Sequence, residues 1–131
     1  MFMLDKWKEL GITERIIDAY NRGVIICGLS AGAICWFENI YTDSDILNGN
    51  SNEYKLYKGL GILKGTACPH YNHRKIDFDT AIIKNDIKSA YAIEDNSALV
   101  FIDGEFKESV SSTGNSYKII NENKKLSYET L

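Results

Sequence analysis

The chain has 131 residues, of which 44% are hydrophobic and 25% charged, and its net charge is -3. This length predicts a single domain over 1–131, and the acidic balance argues against a broad cationic surface for nucleic acid. No apolar run approaches the roughly 18 residues of a membrane span, and the start lacks signal-peptide features, so we expect a cytoplasmic protein with no membrane partner. Three irregularly spaced cysteines predict neither a disulfide framework nor a zinc site, and we expect no metal or organic cofactor.

The first part of the chain is predicted to contain helices over 2–10, 13–22 and 31–37 and a strand over 24–27. Apolar residues at helical spacing indicate the first two helices, with Gly11 and Gly23 as stops and Thr13 as an N-cap. The β-branched run Val24–Cys27 predicts a strand buried on both faces. Helices that alternate with a buried strand are typical of an α/β fold with a parallel sheet.

The remainder is predicted to contain strands over 60–68 and 90–93, a helix over 77–88, and two hairpins over 97–111 and 117–128. The dipeptide Asp103-Gly104 supplies the positive φ that the tight turn of the first hairpin needs. A polar, glycine-containing loop is predicted over 48–52 and a polar turn over 121–125.

The stretch Gly28-Leu29-Ser30-Ala31-Gly32 has the Gly-x-Ser-x-Gly pattern between a predicted strand and a predicted helix. In this context the serine lies on a sharp turn with its hydroxyl exposed, as a nucleophile requires. The backbone N–H of Ala31 is then a candidate oxyanion donor. The pattern alone also fits a tight turn with no chemistry, so other residues must decide.

A serine nucleophile needs a base and an acid that orients the base. Of the two histidines, His70 directly follows a predicted strand, whereas His73 has the features of a solvated loop histidine. Glu94 follows another predicted strand and is the leading acid, although Asp45 would give the order serine, acid, histidine found in α/β-hydrolases. These residues leave open which carboxylate contacts His70.

Several segments together resemble the dipeptidase E / cyanophycinase family of serine peptidases. They are the Ser30 motif, Asp45, Pro69-His70-Tyr71, the run Ala92–Val100 and the Asp103-Gly104 turn. The resemblance implies a class I glutamine amidotransferase-like fold, here a partial doubly wound, mainly parallel sheet with flanking helices and a C-terminal β-hairpin region.

The resemblance also implies roles for individual residues. Ser30 matches the family nucleophile, His70 its general base and Glu94 the acid of a Ser-His-Glu triad. Asp45 matches a carboxylate near the site, to which we assign substrate positioning. Family members act on small peptides, including dipeptides with an N-terminal aspartate, and Arg74 is the nearest cation for such a substrate.

The chain departs from the family pattern at its start. The resemblance implies a Gly-Gly-Asn turn and several strands upstream of the segment that matches Phe2–Leu4, so the chain resembles the C-terminal part of a longer member. We therefore expect uncovered apolar side chains on Val24–Cys27 and either self-association as a homo-oligomer or marginal stability. The alternatives are an inactive homologue that acts as a binding or relict domain, and an esterase or amidotransferase-like enzyme.

Overall fold

The structure is a computed structural model that describes residues 2–131, with side chains from Met3 onward. Its helices are α1 (Phe2–Glu9), α2 (Ile12–Asn21), α3 (Ala31–Ile34), α4 (Ser44–Leu47) and α5 (Tyr71–Lys84). Its strands are β1 (Phe37–Thr42), β2 (Lys55–Lys58), β3 (Leu63–Pro69), β4 (Ser89–Ile93), β5 (Ser97–Ile102), β6 (Glu105–Ser111), β7 (Ser116–Glu122) and β8 (Lys125–Thr130). None of these helices is long and apolar enough to cross a membrane.

Six strands form one sheet in the order β2-β1-β3-β4-β7-β8, and β5 pairs only with β6. The centre of the sheet is parallel, because β3 pairs in parallel with β1 and β4. Strands β2, β7 and β8 join antiparallel at the two sides. The predicted α/β fold with a parallel central sheet, flanking helices and C-terminal hairpins is confirmed.

Both faces of the sheet are covered, as the alternation of side chains along a strand requires. One face packs under α5 around Phe78 and Ile82, both with no exposed surface. The other face packs around Phe37 and Ile34 under α1, α3 and the β5-β6 hairpin. Neighbouring residues of β3 divide between the faces, with Ala67 on the α3 side and Cys68 on the α5 side.

Both predicted N-terminal helices are present, but the predicted cap of the second is wrong. Gly11 separates α1 from α2 with a φ of 67°, and Gly23 follows α2 with a φ of 84°. Helix α2 already begins at Ile12, so Thr13 lies inside it, and its buried hydroxyl oxygen has no hydrogen-bond partner. The turn at Gly11 therefore starts α2 by backbone geometry rather than by a side-chain cap.

The predicted buried strand over Val24–Cys27 is wrong. The segment has no regular secondary structure, and no strand among residues 2–131 pairs with it. Val24 is 51% exposed and Ile25 is 91% exposed. The residue types here favour a strand, but a strand also needs a hydrogen-bonded neighbour. The expected uncovering of these apolar side chains is confirmed.

Several other boundaries differ from the prediction. Helix α3 ends at Ile34, and β1 begins at Phe37, inside the predicted helix over 31–37. Short apolar runs fit either a helix or a strand, which explains this error and the failure to predict β1. Helix α5 begins at Tyr71 rather than at residue 77. The prediction missed its first turns because they carry mostly polar residues, without an apolar pattern at helical spacing. The hairpin of β5 and β6 has the predicted bounds.

Candidate active site

Ser30 lies on a strained turn directly before α3. Its φ is 53° and its ψ is -120°, a region that residues with a side chain rarely adopt. The turn is tight because Gly28 approaches Gly32: a Cβ on Gly28 would lie 2.1 Å from the Gly32 carbonyl oxygen. Gly28 is therefore required, because any side chain at this position would collide with the backbone of Gly32. The turn presents the Ser30 hydroxyl at the surface.

His70 lies where β3 ends and α5 begins, in the left-handed conformation with a φ of 53°. Its Nε2 is 2.7 Å from the Ser30 Oγ, and its Nδ1 is 2.5 Å from Oδ1 of Asp95. A carboxylate only accepts, so Nδ1 carries the proton and donates it to Asp95. The Nε2 of neutral His70 is then the acceptor that faces the Ser30 hydroxyl.

The contact predicted for Glu94 is made instead by Asp95. The Oε2 of Glu94 accepts a hydrogen bond of 2.9 Å from the Asn115 amide. Side chains alternate along β4, with Tyr91 on the α3 side of the sheet and Ala92 on the α5 side. Extending this alternation past the end of the strand gives Asp95 the side of Tyr91. The alternation is visible in the sequence, but which face of the sheet carries the site is known only from the fold.

Asp95 is held by more than His70. Its Oδ2 accepts hydrogen bonds from Asn72 Nδ2 at 3.2 Å and from His73 Nε2 at 3.1 Å. The hydrogen bond from His70, followed by that from Asn72, lowers the pKa of Asp95 below its usual range. Asp95 is thus an ionised acceptor at neutral pH. His73, predicted to be a solvated loop histidine, belongs to this group of residues although it is largely exposed.

The amide of Ala31 is the first donor after Ser30. Ala31 is the first residue of α3, and an amide at this position has no acceptor within the helix itself. The amides of Gly32 and Ala33 are already bonded to the carbonyl oxygens of Leu29 and Ser30, at 2.8 Å and 3.0 Å. This geometry agrees with the use of the Ala31 N–H as an oxyanion donor.

The two residues predicted to bind substrate lie elsewhere. Arg74 has a side chain only 8% exposed, which pairs with Asp43 at 2.8 Å and lies over the Tyr54 ring. Its charge is therefore used inside the fold, which corrects the expectation that it faces substrate. Asp45 accepts hydrogen bonds from Tyr57 at 2.6 Å and Lys55 at 2.8 Å. These two contacts, that of Lys55 first, lower its pKa.

A cavity of about 900 Å³ opens beside Ser30 and His70. Its wall includes the apolar side chains of Leu29, Trp36, Phe37, Leu63, Leu99 and Phe101. Neither Asp45 nor Arg74 lines it, and the described lining contains carboxylates but no lysine or arginine. Among residues 2–131, no group of three or more histidine, cysteine, aspartate or glutamate side chains is arranged to hold a metal ion.

Comparison with known proteins identifies a matching family and a relative of this chain. The family model described as "Peptidase family S51" matches residues 1–109. The chain is 38% identical over 113 residues to the uncharacterized peptidase YgaJ of Bacillus subtilis (strain 168). That alignment covers 84% of this chain and 46% of the relative, so the chain spans about half the length of the curated protein it matches. No solved structure matches the chain.

Proposed function

The chain belongs to peptidase family S51, and on this basis we propose that it hydrolyses peptides with Ser30 as nucleophile, His70 as base and Asp95 as orienting acid. The observation that carries the proposal is the continuous series of contacts from the Ser30 hydroxyl through both ring nitrogens of His70 to Asp95. Nucleophilic catalysis by serine requires this arrangement, in which one group removes the proton and a second fixes the tautomer of the first.

The proposed reaction follows from these contacts. The Ser30 Oγ attacks the peptide carbonyl carbon while its proton passes to Nε2 of His70. The carbonyl oxygen becomes an oxyanion, to which the Ala31 amide donates. The peptide C–N bond then breaks, and His70 returns the proton to the leaving amine. Water attacks the acyl-enzyme with His70 again as the base, which regenerates the Ser30 hydroxyl. Asp95 stays ionised throughout and stabilises the imidazolium.

The cavity bears on the choice of substrate. An N-terminal aspartate needs a cationic partner, and no lysine or arginine is among the described residues that line the cavity. The substrate class proposed here is therefore a small peptide, with aspartyl dipeptides as one member of the panel to be tested. The apolar wall and the Glu94 carboxylate favour apolar or basic first residues at least as well.

The test is hydrolysis of dipeptides that begin with aspartate, leucine or lysine, measured by release of free amine. Ser30→Ala is the decisive variant, and Ser112→Ala, on an exposed bend away from the cavity, is its matched control. We expect hydrolysis to be lost in Ser30→Ala and kept in Ser112→Ala. Hydrolysis that survives Ser30→Ala overturns the assignment of the nucleophile.

A second pair of variants separates the two candidate acids. Asp95→Asn removes the acceptor for His70 Nδ1, and the loss in kcat expected for such a change is on the order of 10³- to 10⁴-fold. Glu94→Gln keeps an oxygen for the Asn115 amide and should change kcat for the leucine dipeptide by less than about 3-fold, since Glu94 does not contact His70. The reverse ranking would return the orienting role to Glu94.

The second candidate function is that of a binding domain without catalysis, which self-associates through its uncovered surface. One observation favours it: the segment before Ser30 lacks a strand partner among the described residues. A folded protein that binds dipeptides, measured by calorimetry, but hydrolyses none of them would support this candidate over the first.

A further inference from the structure

The first turn of α5 makes more contacts with Asp95 than a base alone requires. Asp95 Oδ1 accepts from His70, and Oδ2 accepts from Asn72 at 3.2 Å and from His73 at 3.1 Å. The backbone amide of Asp95 in turn donates to Oδ1 of Asn72 at 3.1 Å. Asn72 therefore holds both the backbone and the carboxylate of the same residue.

Asp95 needs such support because the sheet does not supply it. Strand β4 ends at Ile93, and Asp95 lies in the turn that leads to β5. Its side chain is 38% exposed, so packing does not fix its rotamer. A carboxylate in this position is free to rotate toward water unless other donors hold its second oxygen.

Given the proposed function, on which this inference rests, we propose that Asn72 and His73 are positioning residues that fix the Asp95 carboxylate in the orientation that His70 requires. Neither residue lines the cavity beside Ser30, so they act through Asp95 rather than on the substrate. His73 contributes only while its Nε2 carries a proton, as a neutral or a protonated ring. Asn72 contributes at every pH.

This role predicts a particular kinetic signature. Loss of either contact lets Asp95 move, which loosens the orientation of His70 toward the Ser30 hydroxyl. Misplacement of a catalytic group by about 1 Å costs up to roughly 100-fold in rate. We therefore expect kcat to fall on the order of 10-fold in Asn72→Ala or His73→Ala and further in the double variant, with KM unchanged, because the cavity wall is intact.

The experiment has a readout that does not depend on turnover. The proton between His70 Nδ1 and Asp95 Oδ1, in a hydrogen bond of 2.5 Å, should give a proton NMR resonance far downfield of the amide region. We expect this resonance in the unmodified chain and in Ser30→Ala. It should broaden or disappear in the Asn72→Ala, His73→Ala double variant.

Conservative and distant variants separate positioning from general damage. His73→Gln keeps a donor and should restore both the resonance and kcat relative to His73→Ala. Lys84→Gln, in the last turn of the same helix and exposed, should change neither. Thermal unfolding of each variant, followed by circular dichroism, shows that the compared proteins are folded.

The outcomes are separable from those of the proposed function. If no variant hydrolyses peptides but the resonance responds as described, positioning of Asp95 is supported while catalysis fails. If the resonance is unchanged in the folded double variant, or absent from the unmodified chain, Asn72 and His73 do not position Asp95. Equal kcat values for the unmodified chain and the double variant also overturn the inference.

Discussion

The turn around Ser30 can be tested by adding one methyl group at either of its two glycines. In Gly28→Ala the new Cβ would lie 2.1 Å from the carbonyl oxygen and 2.4 Å from the carbonyl carbon of Gly32. Both are backbone atoms, so no side-chain rotation relieves the contact, and the chain must move by roughly an ångström. In Gly32→Ala the new Cβ has no neighbour within 4 Å.

The expected effects differ in sign or at least in size. Overpacking of this kind costs about 1–3 kcal/mol, a large share of the roughly 5–15 kcal/mol by which domains are stable. At about 4 °C for each kcal/mol, Gly28→Ala should lower Tm by roughly 4–12 °C. Gly32→Ala replaces a glycine within α3, where alanine is favoured by up to about 1 kcal/mol, so its Tm should be unchanged or slightly higher.

The measurement is urea and thermal unfolding of both variants, followed by far-ultraviolet circular dichroism. Hydrolysis assays on the same samples should show at least a 10-fold greater loss in Gly28→Ala, because the shift moves the Ser30 Oγ away from Nε2 of His70. Equal stability of Gly28→Ala and the unmodified chain would refute the close approach. Equal destabilisation by both substitutions would show that the turn is sensitive for another reason.

Four further outcomes are expected. Phe78→Ala, at a side chain with no exposed surface, should lower the free energy of unfolding by about 3–5 kcal/mol in urea titrations, and a loss under about 1 kcal/mol would contradict its place in the core. A maleimide probe at pH 8 should label only exposed Cys27 in the native protein, because burial raises the pKa of Cys35 to about 11 and that of Cys68 further; fast labelling of all three thiols would be inconsistent with the fold. Ile25→Lys, at a 91% exposed position, should shift the chain toward monomer in analytical ultracentrifugation, and no shift would remove this segment from any self-association. The pKa of Asp95 is lowered in the folded state, first by the hydrogen bond from His70. The resulting stabilisation is fully present above the unfolded-state pKa of about 3.9 and is lost as pH falls through the folded-state pKa. The Asp95 carboxyl resonance should therefore titrate in NMR with a midpoint below about 3.9, and a higher midpoint would refute the lowered pKa.

Local patterns predicted those elements whose residues carry their own conformational signal. Asp103-Gly104 gave the bounds of the β5-β6 hairpin because turn geometry depends on a few adjacent residues. Ser30 and His70 were predicted from their places at the ends of elements, and the structure brings them within 2.7 Å.

Features that depend on distant neighbours were not predicted. Val24–Cys27 has the composition of a strand, yet a strand exists only where another chain segment pairs with it. The choice between Glu94 and Asp95 depends on which face of the sheet a residue joins after its strand has ended, a difference of a single residue. Arg74 was assigned by proximity to His70 in sequence, but it lies inside α5, where its buried guanidinium pairs with Asp43.

Ser30 and His70 meet from parts of the fold with unequal resistance to local unfolding. His70 follows β3, which has a parallel neighbour on each side, and Asp95 follows β4 in the same sheet. Ser30 follows a mostly exposed segment that has no ladder bonds among the described residues. Segments with few buried contacts open at a small fraction of the global free energy of unfolding. Gentle warming should therefore separate the serine from its base while His70 and Asp95 remain paired, so that inactivation precedes melting of the sheet.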